Sequence, residues 1–140
     1  FLVTRLNNLF MTIEQRQKFK ENFAEGVCFY GEGYGARIQK GGGNYCKGQD
    51  FVLFDIRIGE YWLKRENCEV IAKLFGIDIV PIFGYGTIHE AIKLCQDGLN
   101  SNWGAFEAEG IVLRPKVALL ARNAAKIITK VKCKDFKTGG

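Results

Sequence analysis

Long apolar runs are missing from this chain of 140 residues, and none approaches the ~20 residues that would span a bilayer. No charged-then-apolar leader opens it, so secretion is not expected. There is a single histidine, and the five cysteines include no Cys-x-x-Cys pair, which leaves no ordinary zinc set. Cys28, Cys46, Cys68, Cys95 and Cys133 are widely spaced and odd in number. They read as reduced, mostly buried thiols of a cytoplasmic protein. Internal repeats and linkers are absent as well. What is present suffices for a core: 47% of the residues are hydrophobic and 13% aromatic. A disordered tail, a collagen-like fibre and a small disulfide scaffold are thereby excluded.

The net charge of +5 is unevenly spread. Arg114 to Lys137 holds eight basic residues and one acid, for +7, while the preceding 113 residues carry −2. A basic cluster of this kind either meets phosphate, in a nucleotide or a nucleic acid, or is a solvated face.

Thr12-Ile13-Glu14-Gln15 has the spacing of a capping box and predicts a helix to about Ala24, broken by Gly26. An apolar strand follows over Val27–Tyr30, then a turned or flexible connection, since residues 31–48 hold seven of the 17 glycines. Phe51–Ile58 reads as a buried strand, with Glu60–Leu63 continuing the sheet after Gly59. Glu66–Phe75 has helical spacing and a stop at Gly76; Ile77–Phe83 is strand-like with Pro81 at an edge or bulge. A second capping box, Thr87-Ile88-His89-Glu90, opens a helix to about Asp97. Strands are expected over Gly110–Leu113 and Ile127–Cys133. The sum predicts an α+β fold in one domain over residues 1–140, with sheet elements at both ends and helices inserted between them.

Three stretches carry chemistry. In Phe29-Tyr30-Gly31-Glu32-Gly33 a carboxylate is flanked by glycines, which leave backbone room for a ligand or metal. In Glu109-Gly110-Ile111-Val112-Leu113-Arg114 a carboxylate opens an apolar strand, and such a hard oxygen donor suits magnesium on a phosphate. In Lys130-Val131-Lys132-Cys133-Lys134 strand alternation sets three lysines on one face and Val131 and Cys133 on the other. Like charges stacked in that way repel unless an anion lies between them, although lysines also protect open strand edges.

In this order, with Phe51 to Ile56 as a fourth, these stretches resemble the motifs of the covalent nucleotidyltransferase superfamily: ATP-dependent RNA ligases, DNA ligases and capping enzymes. The likeness is greatest to the RNA ligases of phages and their relatives, and it covers Val27 to Phe136. Phe29 to Gly33 is similar to the aromatic-Gly-Glu motif, and Phe51 to Ile56 to the one supplying an adenine-stacking aromatic. Glu109 to Arg114 is similar to Asp/Glu-Gly-hydrophobic-Val, and Lys130 to Phe136 to Lys-x-Lys. The resemblance implies part of an adenylation domain of the ATP-grasp-like ligase and capping-enzyme type, built of antiparallel sheets with inserted helices. It implies ATP and magnesium (or manganese), and RNA ends as partners. Glu32 would contact the ribose, and Phe54 or Phe51 would lie over the adenine. Glu109 would position the metal, and Lys132 and Lys134 would serve as Lys-x-Lys, with Lys130–Lys132 as the alternative register.

The family's nucleophile motif, Lys-x-Asp/Glu-Gly, has no match before Val27. Lys40-Gly41-Gly42-Gly43 and Lys73-Leu74-Phe75-Gly76 share only its spacing. As Phe1 is not an initiator, the nucleophile is expected upstream, and these residues alone are not expected to self-adenylate. A non-catalytic nucleotide- or RNA-binding module is the alternative, as is sealing of DNA or guanylyl transfer. The ligase expectation requires Glu32, Glu109 and the lysines to face one shared cleft.

Overall fold

The computed structural model describes residues 2–35, 48–100 and 108–136, which form two compact units, Phe1–Ile82 and Phe83–Gly140. The first contains helices α1 (Leu2–Phe10), α2 (Ile13–Asn22) and α3 (Arg65–Phe75) and strands β1 (Cys28–Gly35), β2 (Gln49–Ile58), β3 (Tyr61–Trp62) and β4 (Asp78–Ile79). The second contains α4 (Ile88–Asp97), β5 (Gly110–Leu113), β6 (Thr129–Lys132) and a 3-10 turn over Cys133–Asp135. Helices and largely antiparallel sheets in this order make an α+β architecture. Among the described residues no helix is long and apolar enough to cross a membrane.

Leu2–Phe10, unassigned from the sequence, is helical because Leu2, Leu6, Leu9 and Phe10 recur at i, i+4, i+7 and i+8. It packs against β2, where Arg5 Nε donates to Asp50 Oδ1 at 2.8 Å. That bond and the negative charge of Asp50 raise the Arg5 pKa above its ordinary value. Thr12 caps α2 by accepting from Gln15 N–H at 3.2 Å. Gly76 ends α3 with a left-handed φ of +66°, and the Ile77 N–H closes back on the Ala72 carbonyl at 2.9 Å.

In the first sheet β2 is central. Antiparallel β1 lies along one side; the other side takes antiparallel β3 at one end and parallel β4 at the other. β4 is shorter than the strand expected over Ile77–Phe83. Val80 N–H still donates to Leu53 O at 2.9 Å, but Pro81 has no N–H with which to continue the ladder. One face of the sheet is closed by a core around Leu53, Ile56 and Phe75. Phe10, Phe19, Phe23, Phe29 and Phe75 interlock there, with ring centroids down to 4.3 Å for Phe19–Phe75.

The glycine-rich connection expected from residue 31 starts later. β1 runs through Gly31, Glu32, Gly33 and Tyr34 to Gly35, paired with β2 as far as Gln49. Ladder hydrogen bonds along a full partner strand outweigh the conformational freedom of three glycines.

The second unit has its own, smaller core of Cys95, Leu99, Val131 and Cys133, with Ile92, Ile111, Leu113 and Phe136 packed on it. Thr87 and Glu90 complete the capping box of α4. Between β5 and β6 the chain forms a small hairpin the sequence did not announce. Leu120 bridges Lys126, and the turn closes through Ala121 N–H to Ala125 O at 2.9 Å.

Candidate active site

In the first unit the candidate residues lie on β1 and β2. Gly31 and Gly33 lie against the helix-covered face: an added Cβ would come within 2.3 Å of Phe51 Cζ at Gly31 and 2.4 Å of Leu2 Cδ2 at Gly33. The room those glycines leave is thus filled by Phe51, the Val52 carbonyl and Leu2 rather than kept for a ligand. Glu32, between them, takes the opposite face by strand alternation; it is exposed and pairs with Val52.

Phe51 and Phe54 are separated by packing. Phe51 belongs to the core and meets Phe10 edge-on at 5.6 Å. Phe54 falls at a register shift: Tyr30 pairs with Asp55 and Gly31 with Leu53, which leaves Phe54 as the extra residue of a β-bulge. The bulge resets the alternation, so that Leu53 and Ile56, three positions apart, are both fully buried in one cluster. Phe54 and Asp55 are left on the face that carries Glu32, and Phe54 is half-buried.

Tyr30, the aromatic of the aromatic-Gly-Glu stretch, shares that face with two residues not singled out from the sequence, Arg57 and Trp62. The Tyr30 and Trp62 rings lie 4.9 Å apart, and the Arg57 guanidinium sits 5.6 Å from the Trp62 centroid. The signal for Tyr30 was present: it is two residues before Glu32 on a strand, and so on its side.

In the second unit β5 and β6 pair antiparallel, with Gly110 opposite Lys132, Ile111 opposite Val131 and Val112 opposite Lys130. Ile111, Leu113 and Val131 pack on the core, so Lys130 and Lys132 share the outer, exposed face as expected. Glu109 is set at the same end of the hairpin as Lys132, its carbonyl accepting from Cys133 N–H at 2.9 Å. Gly110 is needed there, since a Cβ would come within 2.2 Å of the Val131 carbonyl oxygen.

Lys134 departs from the expected alternation. β6 ends at Lys132, and Lys134 is exposed on the 3-10 turn closed by Phe136 N–H to Cys133 O at 3.2 Å. The turn occurs because Cys133 and Phe136 both reach the core, which an extended strand with period two would not allow.

Among the described residues no three His, Cys, Asp or Glu side chains gather at metal-ligand spacing. Glu109 alone supplies a hard oxygen donor on the hairpin. Such a donor fits a magnesium ion that arrives on a triphosphate and keeps most of its waters, rather than one held in a protein cage. Of the two lysines with nucleophile-like spacing, Lys73 is exposed in the last turn of α3, and Lys40 lies outside the described residues, as does Cys46. A depression of about 550 Å³ lined by Phe19, Lys20, Phe23, Ala24, Gly26 and Val27 contains none of the candidate residues.

A family model described as RNA ligase matches residues 4–132. No curated protein and no solved structure matches the chain. The matched stretch takes in all four motif segments as far as Lys132, together with most of α1 and all of α2, for which the motifs gave no reason. On that span the chain belongs to the RNA ligase family.

Proposed function

We propose that the chain is the nucleotide-handling part of a cytoplasmic, ATP-dependent RNA ligase with the covalent nucleotidyltransferase fold. The reading is carried by the β5–β6 register, which brings Glu109 and Lys132, 23 positions apart in sequence, to one end of a hairpin within the family match. Each residue then has a role. Phe54 stacks on the adenine and Glu32 accepts from the ribose hydroxyls, while Phe51 holds the strand from the core side. Lys132 and Lys134 neutralise the phosphates, with Lys130 as the alternative partner of Lys132. Glu109 holds the magnesium, which supplies charge neutralisation on the triphosphate when bound.

The reaction runs in three displacements. A lysine amine, neutral because neighbouring cations lower its pKa, attacks the α-phosphorus of ATP and expels pyrophosphate. An RNA 5′-phosphate then takes the AMP from that lysine. Finally a 3′-hydroxyl attacks the activated phosphate, sealing the strand and releasing AMP. Lys-x-Asp/Glu-Gly is absent from these 140 residues, so the attacking lysine belongs to none of the motifs present. The exposed Lys130 and Lys132 on one face of the β5–β6 hairpin also suit a second reading, a domain that binds nucleotide or RNA without chemistry.

Labelled ATP with magnesium separates the two. On the ligase reading the chain binds ATP, and label becomes covalently attached only when a polypeptide carrying the nucleophile motif is present. Binding that never leads to covalent label, even with a polypeptide carrying the nucleophile motif supplied, selects the binding module. Absence of ATP binding removes the ligase reading and leaves, of the second, only a domain that binds RNA.

A further inference from the structure

We propose that Cys95 and Cys133 are a modification site: a thiol pair that peroxide oxidises to a disulfide, stapling α4 to the turn that carries Lys134. The two sulfurs come from different elements, 38 positions apart, and stand 2.6 Å from each other, closer than unbonded sulfurs pack. They are the most enclosed part of the small core, at 0% and 2% exposure. A disulfide needs about 2.05 Å between sulfurs, so closing the pair calls for movement of well under an ångström. Cys133 lies between Lys132 and Lys134 in sequence, and a bond at its sulfur therefore anchors the backbone of both lysines.

The chemistry balances with hydrogen peroxide as oxidant. One thiolate attacks a peroxide oxygen, giving a sulfenic acid and hydroxide. The second thiolate attacks that sulfur, the S–S bond forms, and the second hydroxide leaves. With the two thiol protons, each peroxide yields one disulfide and two waters. Cys28 and Cys68 belong to the first unit, exposed and buried respectively, and serve as internal comparisons. Because oxidation moves the sulfurs so little, the disulfide acts as a staple and not as an off-switch. It removes chain entropy from the unfolded state while leaving the lysines where they are.

The test is to treat the full chain with hydrogen peroxide, alkylate the remaining thiols, digest without reduction and map the linked peptides. The expected product joins the peptides bearing Cys95 and Cys133. It comes with a rise in melting temperature on the order of 10 °C that dithiothreitol reverses. Cys133→Ser abolishes both effects; Cys95→Ala, which keeps the cluster apolar, does the same if the serine variant fails to fold. Mapping on the unsubstituted chain decides the matter by itself. Oxidation that stops at sulfinic acid on either residue, or that links Cys28 to another thiol instead, overturns the proposal. So does a thermal shift that survives in both variants. None of these measurements involves ATP, so the ligase reading stands or falls separately.

Discussion

Phe54 and Glu32 stand on a sheet whose other face is backed by interlocked phenylalanine rings and three helices. Lys130 and Lys132 stand on a two-stranded hairpin backed by four buried residues, two of them cysteines. In the first unit Phe54 and Glu32 face away from the core, and the bulge lets Leu53 and Ile56 pack while Phe54 between them does not, so packing and chemistry are separable by mutation. In the second they alternate residue by residue: Lys130, Val131, Lys132, Cys133, Lys134. A change to either set there acts through neighbouring backbone on the other. Separability depends on how firmly the backbone is held by contacts other than the residue being changed: a broad ring-packed core in the first unit, four buried residues in the second.

Phe75→Ala is expected to give the largest effect, about 3–5 kcal/mol of lost stability, because it empties a fully buried site touching three other rings. Urea denaturation measures it, and a loss below about 1 kcal/mol would show that the rings repack freely. The next effect divides between two phenylalanines three residues apart. Phe54→Ala should weaken ATP binding by about 1–3 kcal/mol with little change in the urea midpoint. Phe51→Ala should lower the midpoint and reduce ATP affinity only in proportion to unfolding. If the two variants behave alike in both assays, the bulge does not divide stacking from packing. In the second unit, Lys132→Ala and Lys134→Ala should each weaken ATP binding by roughly tenfold, about 1.4 kcal/mol, and the loss should shrink in high salt. Unchanged affinity in both would remove the phosphate role.

Much of this organisation is legible in the sequence where a local rule decides. Gly76 and Gly98 stop helices, Thr12 and Thr87 start them, and the apolar run Phe51–Ile58 makes the central strand. Other features depend on contacts between distant segments. The bulge at Phe54 exists only because β1 and β2 pair in a shifted register, and no local pattern in Phe51–Asp55 announces it. Gly31, Glu32 and Gly33 read as a turn because their strand character comes from the partner, not from propensity. Lys134 leaves the ladder because Phe136 is drawn into a core that α4 and both strands of the hairpin supply. Glu109 and Lys132 were recognised one by one as motif residues. Their meeting at one hairpin end follows from a register that composition does not encode.

The smallest effects test how the second unit is held when its core is left intact. Thr87 Oγ1 accepts from Glu90 N–H at 3.2 Å, and Thr87 N–H donates to the Glu90 carboxylate at 2.6 Å. Thr87→Ala should cost about 1 kcal/mol, since it leaves a helix N–H without its cap. The backbone bond from Thr87, then its hydroxyl, hold the Glu90 pKa below its ordinary 4.5. A carboxylate whose pKa is lowered by folding stabilises the folded state above its unfolded value, and that stability disappears as pH falls through the folded one. The contribution should therefore be intact at pH 7 and fade only below pH 4.5. Glu90→Gln should flatten this acid limb of the stability curve while changing the neutral-pH midpoint less than Thr87→Ala does. An unaltered acid limb in Glu90→Gln would mean that other carboxylates set the acid sensitivity of the chain, and that α4 is held by its buried Ala91 and Cys95 face instead of by its cap.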